Sequence, residues 1–202
     1  MSAASTLSLW LLNAGVIVVV ASGAGPPLAA AFASIFIITR IPLLFQGSLQ
    51  SIILASVVAH LNRGDIRGVR RTIHRSLALV GMSGVVTVVV FGLLADSWAA
   101  WLYGDRFQLG IVSSTGLALS TALFLVGAAC HVMLVGLDAS REATLAWIAG
   151  ALAFGAVIWV GWGSPVSLVV SAYVTSAAVL IVVQAVLIRW VLARTALGIS
   201  RA

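Results

Sequence analysis

Six long apolar runs, separated by short polar breaks, constrain this sequence more than any other feature. The chain is 62% hydrophobic and only 8% charged, with a mean hydropathy of +1.19. Soluble domains carry about 25% charged residues, so this composition excludes an ordinary soluble fold. About 20 apolar residues in a helix cross a bilayer. The runs predict an all-α integral membrane bundle of about six transmembrane helices forming one lobe, residues 1–202, with spans at 7–25, 28–59, 73–94, 109–137, 143–162 and 166–190.

The connection between the second and third runs is a basic loop that orients the chain. Arginine-rich short loops stay on the cytoplasmic side of a membrane during insertion. Six spans place this loop, Arg141 and the arginines of the tail on one side, with Arg106 on the other. We therefore expect both termini to be cytoplasmic. The arginines of the loop are Arg63, Arg67, Arg70, Arg71 and Arg75.

A change of spacing begins at Asp65, within this basic loop. Apolar residues from Ile66 onward recur at helical intervals, and Asp65 is a candidate N-cap. The pattern predicts a basic amphipathic helix at the lipid surface, whose arginines contact anionic head groups. A specific role of these arginines toward a substrate or partner is the alternative.

Arg40 lies inside the second run. A cation within a span is costly and normally faces the interior of the bundle or a wet cavity. Arg40 precedes a kink expected at Pro42. In an undistorted helix Ser51 would share its face, with Gln50 on the flank. These positions predict an anion-binding face, and a structural or interfacial role of Arg40 is the alternative.

Two spans carry stripes of small and polar residues at helical spacing. We expect them to let helices pack closely, with pore lining as the alternative. Adjacent residues on a helix point in different directions, so His131 and Cys130 do not form a catalytic dyad. The stripes are Ser113, Gly116, Ser120, Gly127 and His131 in the fourth span, and Ser167, Ser171 and Thr175 in the sixth.

Motifs for catalysis and cofactor binding are missing from the sequence. It contains no nucleophile paired with a base, no set of metal ligands and no phosphate-binding loop. The arginines lie at the ends of apolar runs, which is not the pattern of a nucleic-acid-binding surface. We therefore expect a protein that is not an enzyme, has no cofactor or metal and does not bind nucleic acid.

Four short motifs, taken in order, resemble polysaccharide flippases. These are the Wzx-type transporters of lipid-linked oligosaccharides in the multidrug/oligosaccharidyl-lipid/polysaccharide exporter superfamily. Family members have two six-helix lobes around a cationic cavity, and this chain is similar to the C-terminal lobe. The motifs are Arg40-Ile-Pro-Leu-Leu-Phe-Gln46, Leu61-Asn-Arg-Gly-Asp-Ile66, Leu102-Tyr-Gly-Asp-Arg-Phe107 and Gly136-Leu-Asp-Ala-Ser-Arg141.

The resemblance implies a bacterial cell-membrane protein that moves a polyprenyl-pyrophosphate-linked glycan to the outer leaflet. Arg40 matches the family motif and would contact the anion, while Gln50, Ser51 and His131 complete the expected substrate-binding set. One departure is Ala55-Ser-Val-Val58, where members often carry a proline. A single lobe would pair with a second copy or a separate chain, or would be a fragment.

Two alternatives to this function remain open from the sequence. One is an exporter of small molecules from the same superfamily. The positive charge of Arg40 argues against a cationic drug as the cargo of such an exporter. The other is a membrane subunit that does not transport anything and acts as a scaffold for polysaccharide-assembly enzymes. Membrane lipid is an expected partner under all three interpretations.

Overall fold

The computed structural model describes residues 3–161 and 163–196, and within these ranges the chain is almost entirely helical, with no strand. Two 3₁₀ turns, Ile41–Phe45 and Asp105–Phe107, interrupt the helices. The helices are α1 (Ala3–Ala21), α2 (Pro26–Thr39), α3 (Gln46–Asn62), α4 (Ile66–Tyr103), α5 (Ile111–Gly136), α6 (Ser140–Val160) and α7 (Pro165–Ala196).

Five segments of the described chain are long and apolar enough to cross a membrane. The predicted first span differs, since its apolar helix, Thr6–Ala21, is shorter than the other five. That helix nevertheless packs against α2, α6 and α7 as part of the bundle. The all-α class is confirmed, and five segments of this length and composition, against the six spans expected, are consistent with a multi-pass membrane protein. The five are Pro26–Asn62, Ile66–Tyr103, Ile111–Gly136, Ser140–Val160 and Pro165–Arg194.

Helix α4 is a single helix of 38 residues that includes most of the basic segment. The predicted amphipathic helix at the lipid surface is therefore wrong as a separate element, because no proline or capping residue separates it from the third span. At 1.5 Å per residue α4 is about 57 Å long, against about 30 Å for the hydrocarbon core. Its ends extend beyond that thickness, with arginines at the first end and Trp98 and Trp101 near the other.

The second span is broken at the predicted kink. Proline has no backbone N–H and disfavours the helical conformation of the preceding residue, and a 3₁₀ turn replaces the α-helix from Ile41 onward. Arg40 closes α2, since its N–H donates to the Ile37 carbonyl at 3.1 Å. Because the helix does not continue, the expectation that Ser51 shares a face with Arg40 is wrong.

Helix α5 lies at the centre of the bundle and packs on α2, α3, α4, α6 and α7. Two of its predicted small residues do allow close approach: a Cβ on Gly116 would meet Val170, and one on Gly127 would lie 2.9 Å from the Leu180 side chain. The stripe of α7 behaves differently. Its members are exposed, so they do not bring α7 against another helix of this chain; they are Ser167, Ser171 and Thr175.

Candidate functional site

The guanidinium of Arg40 lies among three aromatic rings inside the bundle. Its Cζ is 4.1 Å from the ring centroid of Phe36, 5.0 Å from that of Tyr173 and 5.8 Å from that of Phe124. A cation over an aromatic face gains up to about 2 kcal/mol when it is shielded from water. These three rings, from α2, α5 and α7, form what we call the aromatic cage.

No hydrogen bond in the described structure satisfies the Arg40 guanidinium, although all three of its nitrogens are buried. A guanidinium offers five N–H donors and is always charged. Aromatic faces compensate only part of the several kcal/mol that burying a charge costs. The donors of Arg40 are therefore unused within the described structure.

Tyr173 joins the aromatic cage to α1. Its hydroxyl accepts a hydrogen bond from the Gly15 N–H at 2.7 Å and donates one to the Leu12 carbonyl at 3.1 Å. The Tyr173 ring also lies 5.0 Å from the ring of Phe154, centroid to centroid. The side chain is fully buried. Tyr173 is thus fixed at both ends, and it holds the short helix α1 against α7.

A cavity of about 410 Å³, which we call the polar cavity, opens between α1, α3, α5 and α6. It brings together Gln50 and His131, two of the predicted substrate-binding residues. None of its lining residues is acidic, and several offer neutral hydrogen-bonding groups. The lining consists of Ser8, Leu12, Leu43, Leu44, Gln46, Gly47, Gln50, Phe124, Ala128, His131 and Trp147.

The indole N–H of Trp147 determines which protons His131 can use. It donates to Nδ1 of His131 at 3.3 Å. An accepting Nδ1 carries no proton, so in the neutral imidazole Nε2 is the N–H donor. His131 in the polar cavity is therefore suited to donating a hydrogen bond, as it would to a sugar hydroxyl or a phosphate oxygen.

The other two predicted site residues, Arg40 and Ser51, do not line the polar cavity. Phe124 lines the cavity and also contacts Arg40, so one ring connects the cavity to the buried cation. Ser51 is exposed, and its hydroxyl donates to the Gly47 carbonyl of its own helix at 3.1 Å. The structure thus places Arg40 beside the cavity and Ser51 away from it.

A second cavity, of about 400 Å³, lies on the α4 side of the 3₁₀ turn, and we call it the apolar groove. It shares no lining residue with the polar cavity, yet the turn Ile41–Phe45 contributes residues to both. Its lining is mainly hydrophobic, and consists of Ile41, Pro42, Phe45, Leu79, Met82, Ser83, Val86, Thr87 and Phe91.

The start of α4 carries a third, polar cleft of about 340 Å³. Asp65 caps the helix as predicted, since its carboxylate accepts from the Gly68 N–H at 2.8 Å and contacts Nδ1 of His60 at 3.1 Å. The Gly68 hydrogen bond, followed by that with His60, lowers the pKa of Asp65. The cleft also contains Arg67, Arg71 and Arg75, whereas Arg63 and Arg70 do not line it; both are exposed.

Sequence reasoning missed the aromatic cage. Phe36 is four residues before Arg40, a helical spacing that offers a weak signal for contact. Phe124 and Tyr173 come from helices far along the chain, and nothing in their local sequence distinguishes them from other buried aromatics. Only the packing of α2, α5 and α7 brings the three rings to one cation.

Comparisons of this chain with protein-family models, curated proteins and solved structures found no match. Its function therefore has to be inferred from its own side chains. These provide a buried cation with free donors, a neutral polar cavity beside it and an apolar groove across the 3₁₀ turn.

Proposed function

We propose that this protein takes part in moving a lipid-linked oligosaccharide or polysaccharide precursor across the bacterial cytoplasmic membrane. In this proposal it acts as one lobe of a flippase and does not itself catalyse a covalent reaction. The sequence motifs from Arg40 to Arg141 that resemble polysaccharide flippases support the substrate class. The observation that carries the proposal is the Arg40 guanidinium, which is buried without a hydrogen-bond partner.

The positive charge of Arg40 would attract an anion into the polar cavity. Arg40 is linked to the cavity through Phe124, which lines the cavity and contacts the guanidinium. At an effective dielectric constant of 20, opposite unit charges attract by about 4 kcal/mol at 4 Å and by less at longer range. The cavity lining contains no carboxylate to neutralise this effect. A pyrophosphate linked to a sugar is an anion of the required kind, and the same charge disfavours a cationic drug as cargo.

The polar lining residues suit the glycan part of such a substrate. Gln46 and Gln50 each offer an amide that both donates and accepts, and His131 offers an N–H donor. All three line one cavity. Sugar hydroxyls also donate and accept, so neutral amide and imidazole groups match them without requiring a further charge.

The apolar groove suits the lipid part. It lies against α4, whose exposed residues Leu79, Met82 and Val86 make one wall of the groove. Because the turn Ile41–Phe45 lines both cavities, an amphipathic substrate has a polar and an apolar site within reach of one short segment. In this arrangement the head group crosses through the bundle while the lipid chain stays at its surface.

Alternating access in such transporters comes from two repeats that rock about a central site. We therefore propose that the polar cavity is completed by a second lobe, from another copy of the chain or from a separate protein. The positive-inside pattern supports a topology with both termini in the cytoplasm.

Binding of a polyprenyl-pyrophosphate analogue to the purified full chain in nanodiscs tests the proposal. We expect the Arg40→Gln variant to bind the analogue at least tenfold more weakly, since it removes the positive charge beside the cavity. Its apparent melting temperature should be unchanged or higher, because the change removes a buried charge without hydrogen-bond partners. Loss of binding without loss of stability would separate an anion contact from a structural arginine.

Arg106→Gln is the matched control, because Arg106 is an exposed arginine in the 3₁₀ turn Asp105–Phe107, after α4. It should leave binding unchanged. Stronger binding of a cationic dye than of the analogue would overturn the proposal in favour of a drug exporter. Unchanged binding of the analogue by Arg40→Gln would contradict the assignment of Arg40 as the anion contact. If the wild-type chain does not bind the analogue, the scaffold function would be favoured over transport.

A further inference from the structure

A groove between α4 and α7 lies outside the proposed transport site. Both helices pack on α5, so they leave between them a channel of about 350 Å³, which we call the basic groove. Its floor contains Cys130 of α5. The lining consists of Arg70, Ile73, His74, Leu77, Cys130, Ala185, Ile188, Arg189 and Leu192.

The basic groove is amphipathic in cross-section. Arg70, His74 and Arg189 are exposed along it, whereas Ile73, Ile188, Leu192 and Cys130 are buried. No acidic residue lines the basic groove. The ion pair found among the described residues, His60 with Asp65, lies in the cleft at the start of α4 and not in this groove. Two arginines from different helices therefore face one channel with their charges unneutralised by the chain.

Both cations lie toward ends of long helices, where a bilayer would place its lipid phosphates. Arg70 lies in the second turn of α4, and Arg189 lies near the C-terminal end of α7. The apolar residue Leu77 is seven positions beyond Arg70, about 10 Å deeper along α4. The groove thus presents positive charge toward one membrane surface and a hydrophobic wall toward the hydrocarbon core.

From this charge and shape we infer that the basic groove binds an anionic glycerophospholipid. Its phosphate lies between Arg70 and Arg189, and one acyl chain lies along Leu77 and Ile188. Basic pockets between transmembrane helices are suited to anionic lipid head groups, because the arginines supply charge while the helices supply an apolar wall. The lipid would tie α4 to α7, which the chain itself connects mainly through α5.

Native mass spectrometry of the delipidated full chain, titrated with phosphatidylglycerol, tests this inference. Each arginine near a membrane surface contributes about a fivefold gain in affinity for an anionic lipid. We expect Arg70→Gln or Arg189→Gln alone to weaken binding about fivefold, and the pair together about twenty-five-fold. The single variants keep the test decisive if the double variant does not fold. Phosphatidylcholine should bind far more weakly than phosphatidylglycerol.

The matched control is the pair Arg67→Gln and Arg71→Gln, which removes two exposed arginines of α4 that line the neighbouring cleft. It should leave phosphatidylglycerol binding unchanged. Equal losses from both pairs would show only a general attraction to basic surface and would overturn the inference. Saturation of the site by inorganic phosphate alone, or equal binding of phosphatidylcholine, would also overturn it.

Discussion

Tyr173 shows how one side chain connects three parts of the molecule. Its ring forms part of the aromatic cage around Arg40, and its hydroxyl bonds to the backbone of α1 at Gly15 and Leu12. The hydroxyl reaches that backbone because Gly15 has no side chain. A residue of the aromatic cage therefore also holds α1 in the bundle.

Gly15→Ala should lower the apparent melting temperature of the purified protein in detergent. A Cβ at this position would overlap the Tyr173 ring, which is fully buried and has no space to move. Overpacking of this kind costs about 1–3 kcal/mol.

Gly155→Ala in α6 is the matched control for this substitution, since nothing lies within 4 Å of a Cβ there. It should leave the melting temperature unchanged or raise it, because alanine favours a helix by about 1 kcal/mol over glycine. Equal effects of the two alanines would contradict the contact between Tyr173 and α1.

Local sequence breaks the second apolar run after α2 but leaves the third run continuous with the basic segment before it. Pro42 stops the α-helix and leaves Arg40 at the end of α2, where its side chain turns into the aromatic cage. The basic segment after Asp65 has no such breaker, so it continues into the third span as α4. The same apolar periodicity thus gives a broken span in one place and an extended helix in the other.

Acidification should loosen the start of α4. Asp65 caps this helix, and the Gly68 N–H and His60 lower its pKa. The stabilisation is present above the unfolded carboxyl pKa of about 4 and is lost as pH falls through the lower folded value. Hydrogen exchange of the amides in the first turn, corrected for intrinsic rates, should show protection that decreases over that range.

Asp65→Asn and Asp65→Ala separate the two contributions of the side chain. Asparagine also caps helices but does not titrate there, so protection in this variant should be independent of pH. Alanine removes the cap, and protection should be low at every pH. A wild-type pH dependence retained by Asp65→Asn would show that another group is responsible.

At the scale of the whole molecule, helix α5 organises the bundle and the arginines mark one of its ends. All the other helices except α1 pack on it. The basic loop and Arg141 lie at the end of α5 that carries Gly136, while Arg106 precedes its start. Because arginine-rich loops stay in the cytoplasm, this arrangement predicts which end of the bundle faces outward.

Labelling of single cysteines tests that orientation across one helix. In a Cys130→Ala background, we expect a cysteine introduced as Gln108→Cys to react with a membrane-impermeant maleimide in intact cells. Ser140→Cys should react only after the membrane is permeabilised. Both positions are exposed and flank α5, so they serve as controls for each other, and the reverse pattern would contradict the predicted topology.

The sequence by itself determined the helical membrane class, the break at Pro42 and the cap at Asp65. Each of these depends on the hydropathy of a run or on residues within a turn of one another, so a linear pattern records it. The length of α4 was misjudged because hydropathy reports the bilayer-spanning part of a helix and not where its hydrogen bonding ends. Periodicity also assigned the wrong face to Ser51, since one break changes the direction of every later side chain.

Only the tertiary structure decided what surrounds Arg40 and which basic residues share a groove. Phe36, Phe124 and Tyr173 reach the cation from three helices, and Arg70 and Arg189 face one channel although they are far apart in the chain. These groupings follow from how the helices pack on α5. In a nearly uniform apolar sequence many helix faces are equally hydrophobic, so hydropathy alone does not specify which faces meet.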